Sequence, residues 1–193
     1  MSIVNTAVAM ERLIKQAVAA TQFGQTQRYH TEVMLRTQDV GQHSFNVAWF
    51  CYILTGGAPT AALLIQALAH DAGERRTGDV PAPTKLALRL NSMLDEAERA
   101  HLVAHHFDLG AHPLTEEEAA TLKLADSLEG GFYCLREALL GNRMVLSREY
   151  NGCARTYLEY IERLIKATDV GGLRTRALTL FNHLKREFDE LSK

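Results

Sequence analysis

The sequence predicts an all-α fold. Three observations carry that expectation. Apolar residues recur through most of the chain at the three- and four-residue spacing of a helix face. No run alternates apolar and polar residues at period two, as a half-buried strand does. Start and stop residues also punctuate the apolar segments where helices need them. Of the 193 residues, 47% are hydrophobic and 23% charged. That is enough apolar material for a core and excludes disorder as the main state.

The elements follow in order. Ile3, Val8, Leu13, Ile14 and Val18 mark a first helix. VGQHSFNVAWFCYILTGG marks a second, ended by Gly56-Gly57. Pro59 opens a third, running through AALLIQALAHDAGE, because proline suits the first helical turn. RRTGDVPAPTK, from Arg75 to Lys85, holds a glycine and two prolines and reads as a loop. LALRLNSMLDEAERAHLVAHHF is one helix, or two with a break near Asn91. TEEEAATLKLADSLEGGFYCLREALL starts with a capping-box threonine, and its first carboxylates suit the helix N-terminus. SREYNGCARTYLEYIERLIKAT and the amphipathic LRTRALTLFNHLKREFDEL complete the set. With no repeat or linker, one domain over 1–193 is expected.

Charge and composition exclude several classes of function. The net charge of -2 disfavours a binder of long nucleic acids. The longest apolar runs, Val47 to Leu54 and Ala61 to Ile65, are too short to span a bilayer, and the start does not read as a secretory signal. The three cysteines, Cys51, Cys134 and Cys153, form no CxxC pair, so neither a disulfide framework nor a zinc ribbon is expected. A cytoplasmic setting follows, in a host cell if the chain is phage-encoded.

The chemistry sits where polar residues interrupt apolar helices. His43 lies in the first turn of the second helix, and His70-Asp71 directly follow ALLIQALA. Asp126 interrupts LKLADSLEG in the same way. An imidazole beside a carboxylate at the end of an apolar helix is costly unless both are satisfied, and a bound metal would satisfy both. Two histidines and two carboxylates suit one borderline divalent ion such as Co, Mn, Zn, Fe or Ni. Four protein ligands leave positions for water and substrate.

Those residues and their flanks resemble the HD-domain metal-dependent phosphohydrolases. QDVGQHS (Gln38 to Ser44), HDAGERRTGDVPAPTK (His70 to Lys85) and KLADSLEG (Lys123 to Gly130) stand in the family's order. The pattern HDxxE followed by TGDxPxPxK is similar to the branch holding bacterial deoxyribonucleoside 5′-nucleotidases and small phage deoxynucleotide triphosphohydrolases. The motif-bearing core covers about 20–145, and 146–193 reads as packing helices. The resemblance implies a single HD-domain helical bundle, a small deoxynucleotide as substrate, and a homo-oligomer, dimer or larger.

It also implies roles. His43, His70, Asp71 and Asp126 would hold the ion, and a second ion such as Mg is compatible with substrate phosphates. Glu74 would orient or deprotonate the attacking water, and Asp79 would help the leaving oxygen depart. Arg28 and Lys85 would contact phosphate, and Tyr29 would pack on the sugar. His30, in the string RYHT, would lie near the substrate. Tyr29 stands where the family has tryptophan, which loosens the expected preference for deoxyribose. Gln42 replaces a common glutamate and bears on how the neighbouring histidine is held.

The implied attack is at the phosphorus attached to the 5′-oxygen. A triphosphate substrate would release triphosphate, with dATP as the best-known case, and a monophosphate would release phosphate. RYHT and Arg75-Arg76 tilt the reading towards the triphosphohydrolase, with the 5′-nucleotidase as its alternative. Arg75-Arg76 also read as a helix-end charge pair, and Arg36 reads as surface charge. His101, His105, His106 and His112 read as surface or interface histidines. Further alternatives are a non-catalytic HD sensor module, disfavoured by the complete residue set, and a cyclic-dinucleotide phosphodiesterase using the extra histidines.

Overall fold

A computed structural model describes residues 3–147 and 152–193. Nine α-helices lie among the described residues: α1 (Ile3–Phe23), α2 (Val40–Leu54), α3 (Ala61–Ala69), α4 (Glu74–Thr77), α5 (Ala82–Ala87), α6 (Asn91–Ala104), α7 (Glu116–Leu139), α8 (Cys153–Ala167) and α9 (Gly171–Leu191). No strand occurs among them; one isolated bridge joins Gln27 and Asp39. None of these helices is long and apolar enough to cross a membrane. The all-α expectation is met.

Local chemistry sets the helix starts. The Asp39 side chain accepts from Gln42 N and caps α2. Thr60, just after Pro59, caps α3 through Leu63 N. Thr115 and Glu118 form a reciprocal capping box at α7.

Helix α7 is the axis, contacted by α2, α3, α8 and α9. Leu124, Ala125 and Leu128 on α7 are buried against Val47, Cys51 and Leu54 of α2, Leu63 and Ala67 of α3, and Ile161, Ala177 and Leu184 of the C-terminal helices. Gly130 lets α8 approach: a Cβ there would lie 2.3 Å from the Tyr157 ring. Glycine costs a helix interior about 1 kcal/mol relative to alanine, and the close packing offsets that cost.

Three segments differ from the sequence-based expectation. The third helix stops at Ala69, with His70 as its C-cap, and a turn separates it from α4. The segment 75–85 is not all loop: it contains the end of α4 and the start of α5. Pro81, at the N-cap of α5, marks a helix start there rather than irregular chain. The first helix forms, but Val8, Met10, Leu13, Ile14 and Val18 are each more than half exposed, and Ala19 is the buried apolar residue among its described side chains. Among the side chains of this helix that are described, 8–23, the stripe is not used for the core; the Ile3 side chain lies outside the described residues. The expected break near Asn91 falls at Leu88–Leu90. The start expected for the helix of α8 includes 148–151, which also lie outside them.

Candidate metal centre

Helices α2, α3 and α7 pack pairwise on one another, and each delivers part of the site. His43 comes from the first turn of α2, His70-Asp71 from the end of α3, and Asp126 from α7. The imidazole Nε2 atoms of His43 and His70 face each other at 3.3 Å. Asp126 Oδ1 lies 3.2 Å from His43 Nε2. The ligand atoms of His43, His70 and Asp126 all fall within 4.8 Å of one another, a grouping able to hold a metal ion. Asp71 Oδ2 is 3.4 Å from His43 Nε2 and 3.5 Å from His70 Nε2, and it accepts from Arg28 Nη1 at 2.7 Å.

Both rings are aimed from behind. His43 Nδ1 lies 2.6 Å from Glu129 Oε2, and His70 Nδ1 lies 2.9 Å from the Ala67 carbonyl. With each Nδ1 donating outward, each Nε2 presents a lone pair inward, which is how histidine ligands are oriented. Glu129 is itself buried and accepts from Gln38 Nε2 at 2.7 Å and Asn46 Nδ2 at 3.0 Å. The sequence reading missed this residue. Its signal was present: Glu129 lies three residues after Asp126 within KLADSLEG, on the same side of α7.

The remaining predicted residues fall into two sets. Glu74, the first residue of α4, is only 3% exposed. Lys85 Nζ stands 3.4 Å from Glu74 Oε1, whereas Glu74 Oε2 has no hydrogen-bond partner among the described residues. Arg28 Nε is likewise buried and unpartnered. Two orphaned polar groups flanking one centre fit a site that receives a polar ligand. Asp79 is half-buried in the loop after α4, and its charge acts on Glu74. The ring of Tyr29 stacks on Tyr133 at 4.8 Å and its hydroxyl meets that of Tyr157 at 2.8 Å. Its backbone φ of 55° is uncommon for a non-glycine residue, and these contacts hold it there. His30 is exposed. Arg75 and Arg76 turn to a separate cavity between α1 and α6, with His101 and His105.

Electrostatics follow from the geometry. Burial opposes charge on His43 and Arg28 adds repulsion, but hydrogen bonds to Asp126 and Glu129 prevail and push its pKa up to about 9. Burial works to raise Asp126 and Asp71, yet the neighbouring imidazoles and Arg28 hold both below the usual carboxylate range. Burial, with the charges of Asp71 and Asp79, raises Glu74 to about 8.

The His43 shift gives a pH signature of the metal-free protein. A folded pKa raised from 6.5 to about 9 means that the proton-linked stability is complete below pH 6.5 and is lost as pH rises towards 9. The loss is at most about 3 kcal/mol. The chelator-treated protein should therefore melt at falling temperature across that window. A divalent ion replaces the His43 proton, so the ion-loaded protein should lose less across that window, keeping the part that comes from buried Glu74. Parallel pH profiles for the two forms would count against His43 as a ligand.

Glu129 supplies a second expectation. Glu129→Gln keeps the shape but removes the charge behind His43. Affinity for the ion should fall by about 10- to 100-fold with the fold retained. Metal titration followed by circular dichroism checks this, and an unchanged affinity overturns it.

Comparison with known proteins is consistent with this geometry. The HD domain family model matches residues 40–131. A dATP triphosphohydrolase of Salmonella phage PMBT28 is 29% identical over 138 residues, 65% of this chain and 68% of that protein. A 5′-deoxynucleotidase of Yersinia pestis (strain Pestoides F) is 30% identical over 129 residues, 56% of this chain and 66% of that protein. The alignments thus span about two thirds of the length of these curated relatives. Among solved structures, the cyanophage S-2L HD phosphohydrolase DatZ, bound to dA and one catalytic Zn2+, has a similar fold. Its TM-score is 0.67 at 18% identity, covering 90% of this chain and 96% of that one. The PH0347 protein of Pyrococcus horikoshii OT3 gives 0.60 at 18% identity, covering 90% and 99%.

Proposed function

Since the chain belongs to the HD-domain metal-dependent phosphohydrolases, we propose that it hydrolyses deoxynucleotides at the 5′-linked phosphorus. The observation that carries this reading is the pair of inward-facing Nε2 atoms joined by the Asp126 carboxylate. His43, His70, Asp71 and Asp126 would hold one divalent transition ion, and their donor set fits Zn, Mn, Co, Fe or Ni. When bound, such an ion acts as a Lewis acid on a phosphoryl oxygen and lowers the pKa of water.

The chain's own residues do the rest. Glu74, buried with one oxygen unpartnered and its pKa near 8, takes a proton from the attacking water. Arg28 and Lys85 offset the negative charge of the phosphate. The bond from phosphorus to the 5′-oxygen breaks as the bond to the water oxygen forms. The proton taken up by Glu74 passes by way of Asp79 to the 5′-oxygen, which leaves as the hydroxyl of a deoxynucleoside. Tyr29, braced by Tyr133 and Tyr157, forms the sugar side of the site, with His30 at its outer edge.

The preferred substrate is a deoxynucleoside triphosphate of the dATP type, released as deoxynucleoside and triphosphate. The longer alignment to the phage triphosphohydrolase supports it. The 5′-nucleotidase is the second reading, favoured by one observation: Arg75 and Arg76 lie in another cavity, leaving Arg28 and Lys85 as the predicted phosphate-binding cations beside the centre. The single-domain organisation over 1–193, a cytoplasmic setting and a homo-oligomer belong to the same proposal. The exposed apolar faces of α1 and of α2, at Phe45, Trp49, Tyr52 and Ile53, support the oligomer.

Product analysis tests the function. The protein is incubated with Mn or Co and a panel of deoxy- and ribonucleoside mono- and triphosphates. Triphosphate released from a dNTP is the expected product. Phosphate from dNMPs alone would establish the nucleotidase instead. No turnover with the metal bound would defeat both readings and favour a sensor module or a cyclic-dinucleotide phosphodiesterase.

A further inference from the structure

The cavity between α1, α4 and α6 has chemistry of its own. It is open to solvent on one side, has a volume of about 410 Å3 and is lined by Gln22 and Phe23 of α1, Arg75 and Arg76 of α4, and His101 and His105 of α6. The volume lies within the range of small-molecule sites. None of the metal-centre residues lines it. Neither arginine has an ion-pair partner among the described residues. The imidazoles stand one turn apart with ring centroids 4.5 Å apart, and Phe23 meets both edge-on. His105 Nδ1 lies 2.9 Å from the His101 carbonyl, which leaves Nε2 for a ligand.

Among the described residues, no carboxylate lines the cavity. Glu98, one turn before His101, accepts instead from Thr77 Oγ1 at 2.7 Å. Burial, and then the charges of His105, Arg76 and Arg75, hold the His101 pKa below its usual value, as expected among uncompensated cations. Two guanidinium groups beside the imidazoles repel a metal cation and suit a polyanion. Planar guanidinium forks match phosphate oxygens in particular. The volume exceeds what a single phosphate fills.

We propose that this cavity is a second binding site, for an oligophosphate held by Arg75, Arg76, His101 and His105. The ligand is either the free anion or the tail of a nucleotide. The elements around it are clamped together: a Cβ on Gly73 would lie 2.4 Å from Glu98 Cβ, so α4 rests directly on α6. An anion bridging the arginines to the imidazoles ties these helices further, beside the residue that begins α4, Glu74.

The test separates this site from the metal centre. The full chain carrying Asp126→Ala is titrated calorimetrically with sodium tripolyphosphate in the presence of a chelator. Binding of one anion per chain is expected. Adding Arg75→Gln and Arg76→Gln should weaken it at least tenfold. If that variant misfolds by circular dichroism, Arg76→Lys, which keeps the charge and loses the fork, should still weaken it severalfold. Equal affinity for tripolyphosphate and dATP would identify the free anion as sufficient, and tighter dATP binding would identify a nucleotide tail. Unchanged binding in the arginine variants overturns the site, as does deoxyadenosine binding as well as dATP. Absence of binding in Asp126→Ala also overturns it while leaving the metal-centre reading intact, because that reading is judged by metal content and turnover.

Discussion

Asp126→Ala should lose the bound ion and turnover together, with activity down by about three orders of magnitude or more. Asp126 Oδ1 completes the group that His43 and His70 begin. Without it the anionic donor left is Asp71, whose Oδ2 is shared with Arg28 at 2.7 Å. Ion affinity should therefore fall further than the 10- to 100-fold expected when only a supporting partner such as Glu129 is changed. The fold should survive, because Asp126 is partly exposed and contributes no apolar packing. Asp126→Asn, of the same shape and without the charge, controls for packing and should behave alike. Metal content by elemental analysis and product formation are read on the same samples. Full turnover with metal content unchanged would sink the assignment.

The features written in adjacent residues were legible in the sequence. Asp39 with Gln42, and Thr115 with Glu118, act within one turn, so the starts of α2 and α7 could be read directly. The end of α3 could not, because no glycine or proline stands at Ala69 or His70 to mark a stop, while the backbone turns there to bring His70 and Asp71 onto α2. Helix α5 was hidden by its prolines, which mark loops and first helical turns alike. Motif spacing gathered His43, His70, Asp71 and Asp126, and the packing of α2, α3 and α7 brings them together. Glu129 stood in the same string, but its use depends on which face of α7 meets His43, Gln38 and Asn46. That is a tertiary fact. The same holds for Arg75 and Arg76: their charge is in the sequence, but the side of α4 they occupy is set by α1 and α6. Periodicity likewise predicts that α1 is a helix without saying what its apolar stripe covers.

Glu74→Gln should separate catalysis from metal binding. The variant should keep its ion, because Glu74 is not among the residues gathered there. Its kcat should fall by about 10²–10⁴, the usual contribution of a general base, with KM little changed. Stability should move the other way. Burial and the charges of Asp71 and Asp79 push Glu74 up to about 8, so its ionised form is disfavoured in the folded chain. A raised carboxyl pKa costs stability increasingly as pH rises from its unfolded value near 4.5 to 8. The neutral amide escapes that cost and gives up only the 3.4 Å contact with Lys85. The metal-free variant should therefore be more stable than the parent at pH 8 by about 0.5–2 kcal/mol, read as a higher unfolding temperature. Loss of turnover with gain of stability is the mark of a group held in an unfavourable state for its chemistry. A variant that turns over within tenfold of the parent would remove Glu74 from the reaction, and one that loses its ion would make it a ligand instead.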